Sequence, residues 1–249
     1  MAGRTIAIGD VHGDLAALER LLARLPALEA ADTLVFLGDY VDRGPDPAGV
    51  VQRVRTIRSG TPATVVLLRG NHEDAWLKAY REGAPEFVIP RVNGCYMTYR
   101  SYTGGPPPGR EEDPTAEELR SMATAAFLPP DVVQWMRGLR LFHEDEHAIY
   151  VHAGLPQEGD RWLHPSEVKD PKPLLWQRSR LFYQEYAGKR VVFGHTPVKR
   201  LPQEKSSYTP EDELDVYRTE SLVGLDTGAG MGGFLSAIVL PEGLVLDSR

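Results

Sequence analysis

Along the first eighty residues the apolar positions switch repeatedly between two periods. Residues 4–8, 33–37 and 64–68 are compact runs of β-branched and aliphatic side chains, the pattern of buried strands. Between the first two, residues 14–25 carry Leu15, Leu18, Leu22 and Leu25 on one helical stripe. Residues 47–59 do the same with Val50, Val51, Val54 and Ile57, and Pro47 suits a first helical turn. A short helix is expected over 73–81. Strand–helix alternation of this kind predicts a parallel sheet covered by helices.

From Gly83 to Arg140 the pattern changes. Gly104–Gly109 (GGPPPG) is a turn-rich break, and the charge run Arg110 to Asp113 (REED) reads as a solvated surface. Asp113 is placed to cap a helix over 115–127, and Pro129 and Pro130 punctuate the chain before a second helix over 131–137. Strands are expected at 139–144, 148–151, 190–193, 222–225, 234–240 and 244–246, whereas 199–220 is polar and reads as a long loop or ragged hairpin. The strand-rich second half makes the whole α+β around a mixed sheet. No internal repeat is visible. The expectation is one domain over 1–249, with a helical and loop insertion at 83–140 lying over one side of the sheet.

Composition narrows the class. Hydrophobic residues make up 42% of the chain, enough for a sizeable core, yet no stretch approaches the ~20 apolar residues of a membrane span. The opening MAGRTIAIGD runs straight into a strand pattern and reads as no secretory signal. A single cysteine, Cys95, rules out an intrachain disulfide; it reads as a small buried hydrophobe in a reducing, cytoplasmic setting. The net charge of −7 argues against a broad basic face for duplex nucleic acid. An acidic chain that takes an anionic substrate must gather positive charge locally, and bound metal ions do this.

Five short segments sit where expected strands end: Gly9-Asp10-Val11-His12-Gly13, Gly38-Asp39-Tyr40-Val41-Asp42-Arg43-Gly44, Gly70-Asn71-His72-Glu73, His152-Ala153-Gly154 and Gly194-His195-Thr196. Loops at the carboxyl ends of parallel strands converge on one crevice. Any one segment has an ordinary reading as a helix cap, turn or core histidine, but together they place carboxylates, imidazoles and an amide around one point. Four of the seven histidines fall there. The set lacks sulfur, which suits manganese, iron or zinc better than a thiolate zinc site or an all-oxygen calcium site. Six candidate ligands exceed the four of a closed structural zinc site, so two metals sharing a carboxylate use them economically.

GDVHG, GDYVDRG, GNHE, HAG and GHT, in this order, make the chain similar to the phosphoprotein phosphatase superfamily of metallophosphoesterases. That superfamily includes Ser/Thr protein phosphatases and symmetric diadenosine tetraphosphate hydrolases. The resemblance implies a calcineurin-like architecture of α/β/β/α layers, a mixed β-sandwich flanked by helices. It implies two divalent cations, with manganese as the leading choice. Asp10, His12 and Asp39 resemble the ligands of the first; Asp39 (bridging), Asn71, His152 and His195 resemble those of the second. A metal-bound hydroxide would attack phosphorus in line, without a phosphoenzyme. His72 is the candidate general acid and Asp42 its orienting carboxylate. Arg43, Asn71 and Arg178 are the candidates for holding substrate phosphate, Arg178 through the segment Leu174-Leu175-Trp176-Gln177-Arg178.

The remaining features are read more plainly. Arg69 is expected to support its loop, and Tyr96, Tyr99 and Tyr102 to pack the insertion, with a pocket lining as the other reading. His143, His147 and His164 match nothing. For the substrate, Asp42 and Glu73 follow the protein-phosphatase form of their motifs and place Ser/Thr phosphomonoesters first. Leu225-Asp226-Thr227-Gly228 with Gly232-Gly233 resembles the ends of small bacterial members and keeps diadenosine tetraphosphate as the alternative, with one enzyme able to do both. A nuclease or a catalytically dead phosphate sensor fits less well, because the Asp42-Arg43 pair, the candidate acid and every candidate ligand are in place.

Overall fold

Strand side chains alternate between two cores, and that alternation sets the layers of the computed structural model, in which residues 3–109, 111–207 and 215–249 are described. β1 (Thr5–Ile8), α1 (Leu15–Arg24), β2 (Thr33–Phe36), α2 (Pro47–Thr56), β3 (Thr64–Leu67) and α3 (Asn71–Glu82) follow one another as the apolar periods predict. Ile6, Ile8, Leu34, Phe36, Val65 and Leu67 face the helices. Ala7, Val35, Val66 and the flanking Leu37 and Leu68 face the other way, into a second core. The caps are legible in the sequence: Asp14 accepts from the Ala17 amide at 2.9 Å, and Asp46, just before Pro47, accepts from Gly49 at 2.9 Å. Burying each large aliphatic side chain contributes roughly 1.5–3 kcal/mol, so two cores sharing one sheet hold the layers in register.

The insertion forms α4 (Pro85–Val88), α5 (Cys95–Thr103), α6 (Ala116–Ala123) and α7 (Pro130–Arg137). Met122, Leu128, Val132, Val133 and Met136 join the helix-side core of the first sheet, so this segment packs on that face. Three details differ from the expected pattern. α4 and α5 have no counterpart in it, and α6 is capped by Thr115 rather than Asp113. Thr115 and Glu118 form a reciprocal pair, Thr115 N to the Glu118 carboxylate at 2.7 Å and Glu118 N to Thr115 Oγ1 at 3.3 Å. Asp113 instead takes the Arg91 guanidinium at 2.7 Å, and Glu112 takes Arg100 at 2.6 Å, so the charge run is exposed but paired. Its first residue, Arg110, lies outside the described residues.

The second half adds β4 (Phe142–Glu144), β5 (Ile149–Val151), the small hairpin β6 (Gln157–Glu158) and β7 (Arg161–Trp162), α8 (Lys172–Trp176), α9 (Arg180–Glu185), β8 (Val191–Phe193), β9 (Tyr217–Arg218), β10 (Leu222–Gly224), β11 (Ser236–Leu240) and β12 (Leu244–Asp247). One five-stranded sheet runs β12-β11-β1-β2-β3 and the other β4-β5-β8-β10-β9. β1, β2 and β3 are parallel in the first; β5, β8 and β10 are parallel in the second. Tyr150, Val192 and Val223 meet Ala7, Val35 and Ile238 between the sheets. Leu174, Phe182 and Tyr183 of α8 and α9 cover the outer face of the second sheet against Val191 and Phe193. The result is the expected mixed sandwich of two sheets flanked by helices. The polar stretch 199–220 contains short 3₁₀ turns and then β9, which pairs back onto β10; its residues 208–214 lie outside the described residues. No helix among the described residues is long and apolar enough to cross a membrane.

Candidate metal centre

Each of the parallel strands β1, β2, β3, β5 and β8 ends in one of the five motifs, and the two sheets bring those ends together. Two triads form, His12–Asp39–His72 and Asp39–His152–His195, with Asp39 common to both and every member buried. His12 Nε2 lies 3.3 Å from Asp39 Oδ2, and His152 Nε2 lies 3.5 Å from Asp39 Oδ1. The Asn71 carboxamide oxygen stands 3.0 Å from His152 Nε2 and 2.6 Å from His195 Nδ1. Asp10 sits outside both triads but at their border, where its Oδ2 accepts the His195 amide at 2.7 Å. At that contact a Cβ on Gly194 would lie 1.9 Å from Asp10 Oδ1, so only glycine lets the β8 loop approach this carboxylate.

The tautomers are set from outside the cluster. His12 Nδ1 faces Val41 O at 3.0 Å, His152 Nδ1 faces Leu37 O at 2.9 Å, and His195 Nε2 faces Trp176 O at 3.2 Å. A carbonyl only accepts, so in each ring that nitrogen carries the hydrogen and the other turns its lone pair inward. For His152 and His195 those lone pairs meet Asn71 and Asp39 oxygens, acceptor against acceptor, whereas His12 Nε2 faces both the Asp39 carboxylate and the Arg43 guanidinium. Burial pushes all three imidazoles down, further for His12 through Arg43 and for His195 through His152 and Arg178, which favours the neutral, ligating form. A cation resolves such an arrangement, and fixing a ligating histidine by its second nitrogen is how metal sites orient their ligands.

The carboxylates give the same answer. Burial, then Asp226 and Asp39, push the Asp10 carboxyl well up, and burial raises Asp226. Among the described residues, Asp10 Oδ1 and Asp226 Oδ2 are buried without a hydrogen-bond partner. Buried carboxylates crowded in this way call for a counter-charge. Arg43 supplies one at the edge, its Nη1 standing 2.5 Å from His12 Nε2, a cationic group at a candidate ligand nitrogen. Asp226 is the residue the sequence reading missed. It follows β10, a third parallel strand of its sheet, so the strand-end rule that found the other motifs applies to it as well.

His72 differs from the three other histidines in its second partner. Its Nδ1 meets the Asp42 carboxylate at 2.6 Å, while Nε2 stands 3.9 Å from Asp39 Oδ2. Burial lowers its pKa, but Asp39 and the hydrogen bond to Asp42 outweigh it and the net shift is upward. Asp42 is itself held from three sides, by Trp76 Nε1 at 3.0 Å, Thr98 Oγ1 at 2.5 Å and the Cys95 thiol at 3.6 Å. Cys95 is buried, as expected, and burial pushes its thiol well up. His12, Asp39, Asp42, Arg43 and His195 all have positive φ, between 42° and 70°. Each such non-glycine residue costs on the order of 1–3 kcal/mol, strain that the packed surroundings hold at a working site.

Arg178 donates to His195 O at 3.3 Å and so stands on the opposite motif from Arg43. Arg69 braces its loop, as expected, through Arg137 O at 3.0 Å. Tyr96, Tyr99 and Tyr102 pack against the core, with Tyr96 also lining a cavity beside Arg43. His143, His147 and His164 lie elsewhere, on Tyr150, Gly3 O and Glu144.

Residues 3–215 match the family of calcineurin-like phosphoesterases. The chain is 31% identical over 287 residues to the symmetrical bis(5'-nucleosyl)-tetraphosphatase of Dechloromonas aromatica, covering 96% of this chain and 93% of that one. It is 27% identical over 232 residues to serine/threonine-protein phosphatase 1 of Salmonella typhimurium, covering 92% and 88%. The crystal structure of a metallophosphoesterase from Sphaerobacter thermophilus superposes with a TM-score of 0.53 at 20% identity over 98% of this chain and 86% of that one, a likeness of fold. This chain belongs to the calcineurin-like phosphoesterase family, a family of metal-dependent hydrolases, and its clustered histidines and aspartates suit a dinuclear divalent site.

Proposed function

We propose that this calcineurin-like phosphoesterase cleaves dinucleoside tetraphosphates symmetrically, diadenosine tetraphosphate giving two ADP, on a pair of divalent cations held by Asp10, His12, Asp39, Asn71, His152 and His195. The observation that carries the metal reading is the convergence of inward-facing imidazole lone pairs on Asp39 and Asn71 oxygens. Manganese leads the choice of metal, with iron and zinc behind it, because the donors are nitrogen and oxygen without thiolate. For the substrate, the full-length relative that is 31% identical carries the tetraphosphatase name, which puts this class ahead of the Ser/Thr phosphomonoesters that the motifs alone placed first. Phosphomonoester hydrolysis stays as the second reading. It is favoured by the Salmonella relative and by the Asp42 and Glu73 forms of their motifs.

When bound, a pair of divalent cations would lower the pKa of water from ~15.7 towards ~7 and would neutralise charge on the transferred phosphoryl group. The chain's own groups do the rest. Arg43 and Arg178 approach from the His12 and His195 sides and hold the non-bridging oxygens in their planar forks. Asp42, fixed by Trp76 and Thr98, orients His72 and stabilises its protonated form. His72 Nε2 then gives its proton to the departing phosphate oxygen, a role typically worth ~10²–10⁴ in rate.

The test is initial-rate kinetics on diadenosine tetraphosphate and a phosphoserine peptide, with product analysis, on protein stripped by chelation and reloaded. Two ADP as product and activity restored by Mn²⁺ are expected. ATP plus AMP as product would overturn symmetric cleavage, and full turnover after exhaustive chelation would overturn the metal role.

A further inference from the structure

Beyond the metal centre on the Arg178 side, a cavity of about 320 Å³ is walled by Arg178, Arg180, Tyr183, Thr196, Arg200 and Glu204. It adjoins the site through Thr196 and Arg178. Thr196 follows His195 directly and hydrogen-bonds Tyr183 Oη at 2.8 Å, and Arg178 reaches His195 O. Three guanidinium groups thus face one carboxylate, Glu204, in a chain whose net charge is −7. Arg180 and Arg200 have no carboxylate within salt-bridge distance among the described residues, unlike Arg53 with Glu19 at 2.7 Å and Arg161 with Glu167 at 2.8 Å; exposed Arg120 and Arg140 are unpaired too, but Arg180 and Arg200 share one cavity with Arg178. A locally uncompensated excess of positive charge on an acidic protein attracts an anion, and planar guanidinium forks favour phosphoryl oxygens.

We infer that this cavity is a polyphosphate subsite: Arg180 and Arg200 hold the phosphate next to the one attacked, so the substrate it selects is a nucleoside polyphosphate rather than a monoester. The inference rests on the phosphohydrolase reading above. A monoester has only one phosphoryl group, which the cations, Arg43 and Arg178 occupy, and it leaves the cavity unused. A tetraphosphate carries further charge on either side of the scissile bond and extends into it.

The double variant Arg180→Gln/Arg200→Gln tests this, with its thermal midpoint measured as a check on folding. Both side chains are exposed, so the expected loss is that of screened, charge-assisted contacts: KM for diadenosine tetraphosphate rises about tenfold with kcat within about twofold. Turnover of p-nitrophenyl phosphate stays within about twofold, and its inhibition by ADP weakens about tenfold, since each tenfold step is ~1.4 kcal/mol of binding. Lysine at both positions restores part of the ADP inhibition, because it keeps the charge without the fork. Unchanged ADP inhibition, or equal losses on both substrates, would overturn the subsite. The ADP measurement stands apart from the function reading: a wild-type protein that left diadenosine tetraphosphate uncut would sink that reading, while the inhibition would still show whether the cavity binds a nucleoside diphosphate.

Discussion

Glu73 is the strongest structural dependency of the site, and its replacement can be worked out atom by atom. It lies fully buried at the start of α3, and its two oxygens take four backbone donors. Oε2 accepts from Asp39 N at 3.0 Å and Gly70 N at 2.9 Å, and Oε1 accepts from Tyr40 N at 2.8 Å and Val41 N at 3.3 Å. This one side chain shapes the loop that presents Asp39 and Asp42. Glu73→Gln keeps the size but replaces one oxygen by an NH₂ group. Whichever way the amide turns, two buried N–H groups face a donor, at roughly 1–3 kcal/mol each, so about 2–6 kcal/mol in all. For a chain of this length ~1 kcal/mol moves the midpoint by about 2–4 °C, which gives a fall of roughly 5–20 °C. The assay is thermal and urea unfolding near pH ~8, above the value of about 7 to which burial and then Asp39 push the Glu73 carboxyl. An unchanged urea slope with a lower midpoint is expected. A shift below ~2 °C would mean that the loop does not depend on these four bonds, and the reasoning fails.

Three further outcomes follow from the geometry. His72→Asn should leave cation content unchanged while cutting kcat on poor leaving groups by ~10²–10⁴ and on p-nitrophenyl phosphate much less; equal losses would remove His72 as the proton donor. Asp32→Asn should cost about 1.5–3 kcal/mol, because the buried carboxylate takes the Arg4 guanidinium at 2.6 Å together with the Arg4 and Glu29 amides. The hydrogen bond from the Arg4 side chain leads the effects that hold this carboxyl below its ordinary 3.8, so the wild-type advantage is complete above that value and disappears as pH falls through the lower folded one, as denaturation at a series of pH values would report. Gly94→Ala should lower kcat/KM by roughly tenfold or more without loss of metal: at φ 72° its Cβ would lie 2.4 Å from Arg43 N and would shift that arginine.

The sequence exposed what obeys short-range rules. The first three strand–helix pairs were visible because apolar period and caps agree, as at Asp14 and at Asp46-Pro47. The convergence of the candidate ligands is legible because Asp, His, Asn and Gly recur where strands end. α5 was hidden because Cys95–Thr103 is rich in Tyr, Thr and Ser, poor helix formers that hold a helix through tertiary packing on α2 and α6. Thr98, which locks Asp42, was hidden with it, since 56 residues separate the two. The cap at Thr115 was misplaced by two residues because Asp113 is an equally good local capper until Arg91 claims it. Asp226 carries the same signal, an acidic residue just past an expected strand, but without the His or Asn that marks most of the other strand ends.

Asp39 and Asn71 descend from one sheet, His152 and His195 from the other, and 124 residues of chain separate Asn71 from His195. The centre therefore exists only across the seam of the sandwich. Occupancy by cations and docking of the two sheets are one linked equilibrium: a ligand at a hundredfold excess over its Kd adds ~2.7 kcal/mol to the docked state. Hydrolysis is thus coupled to architecture, and a fragment carrying either sheet alone would hold half a clasp with nothing to fasten.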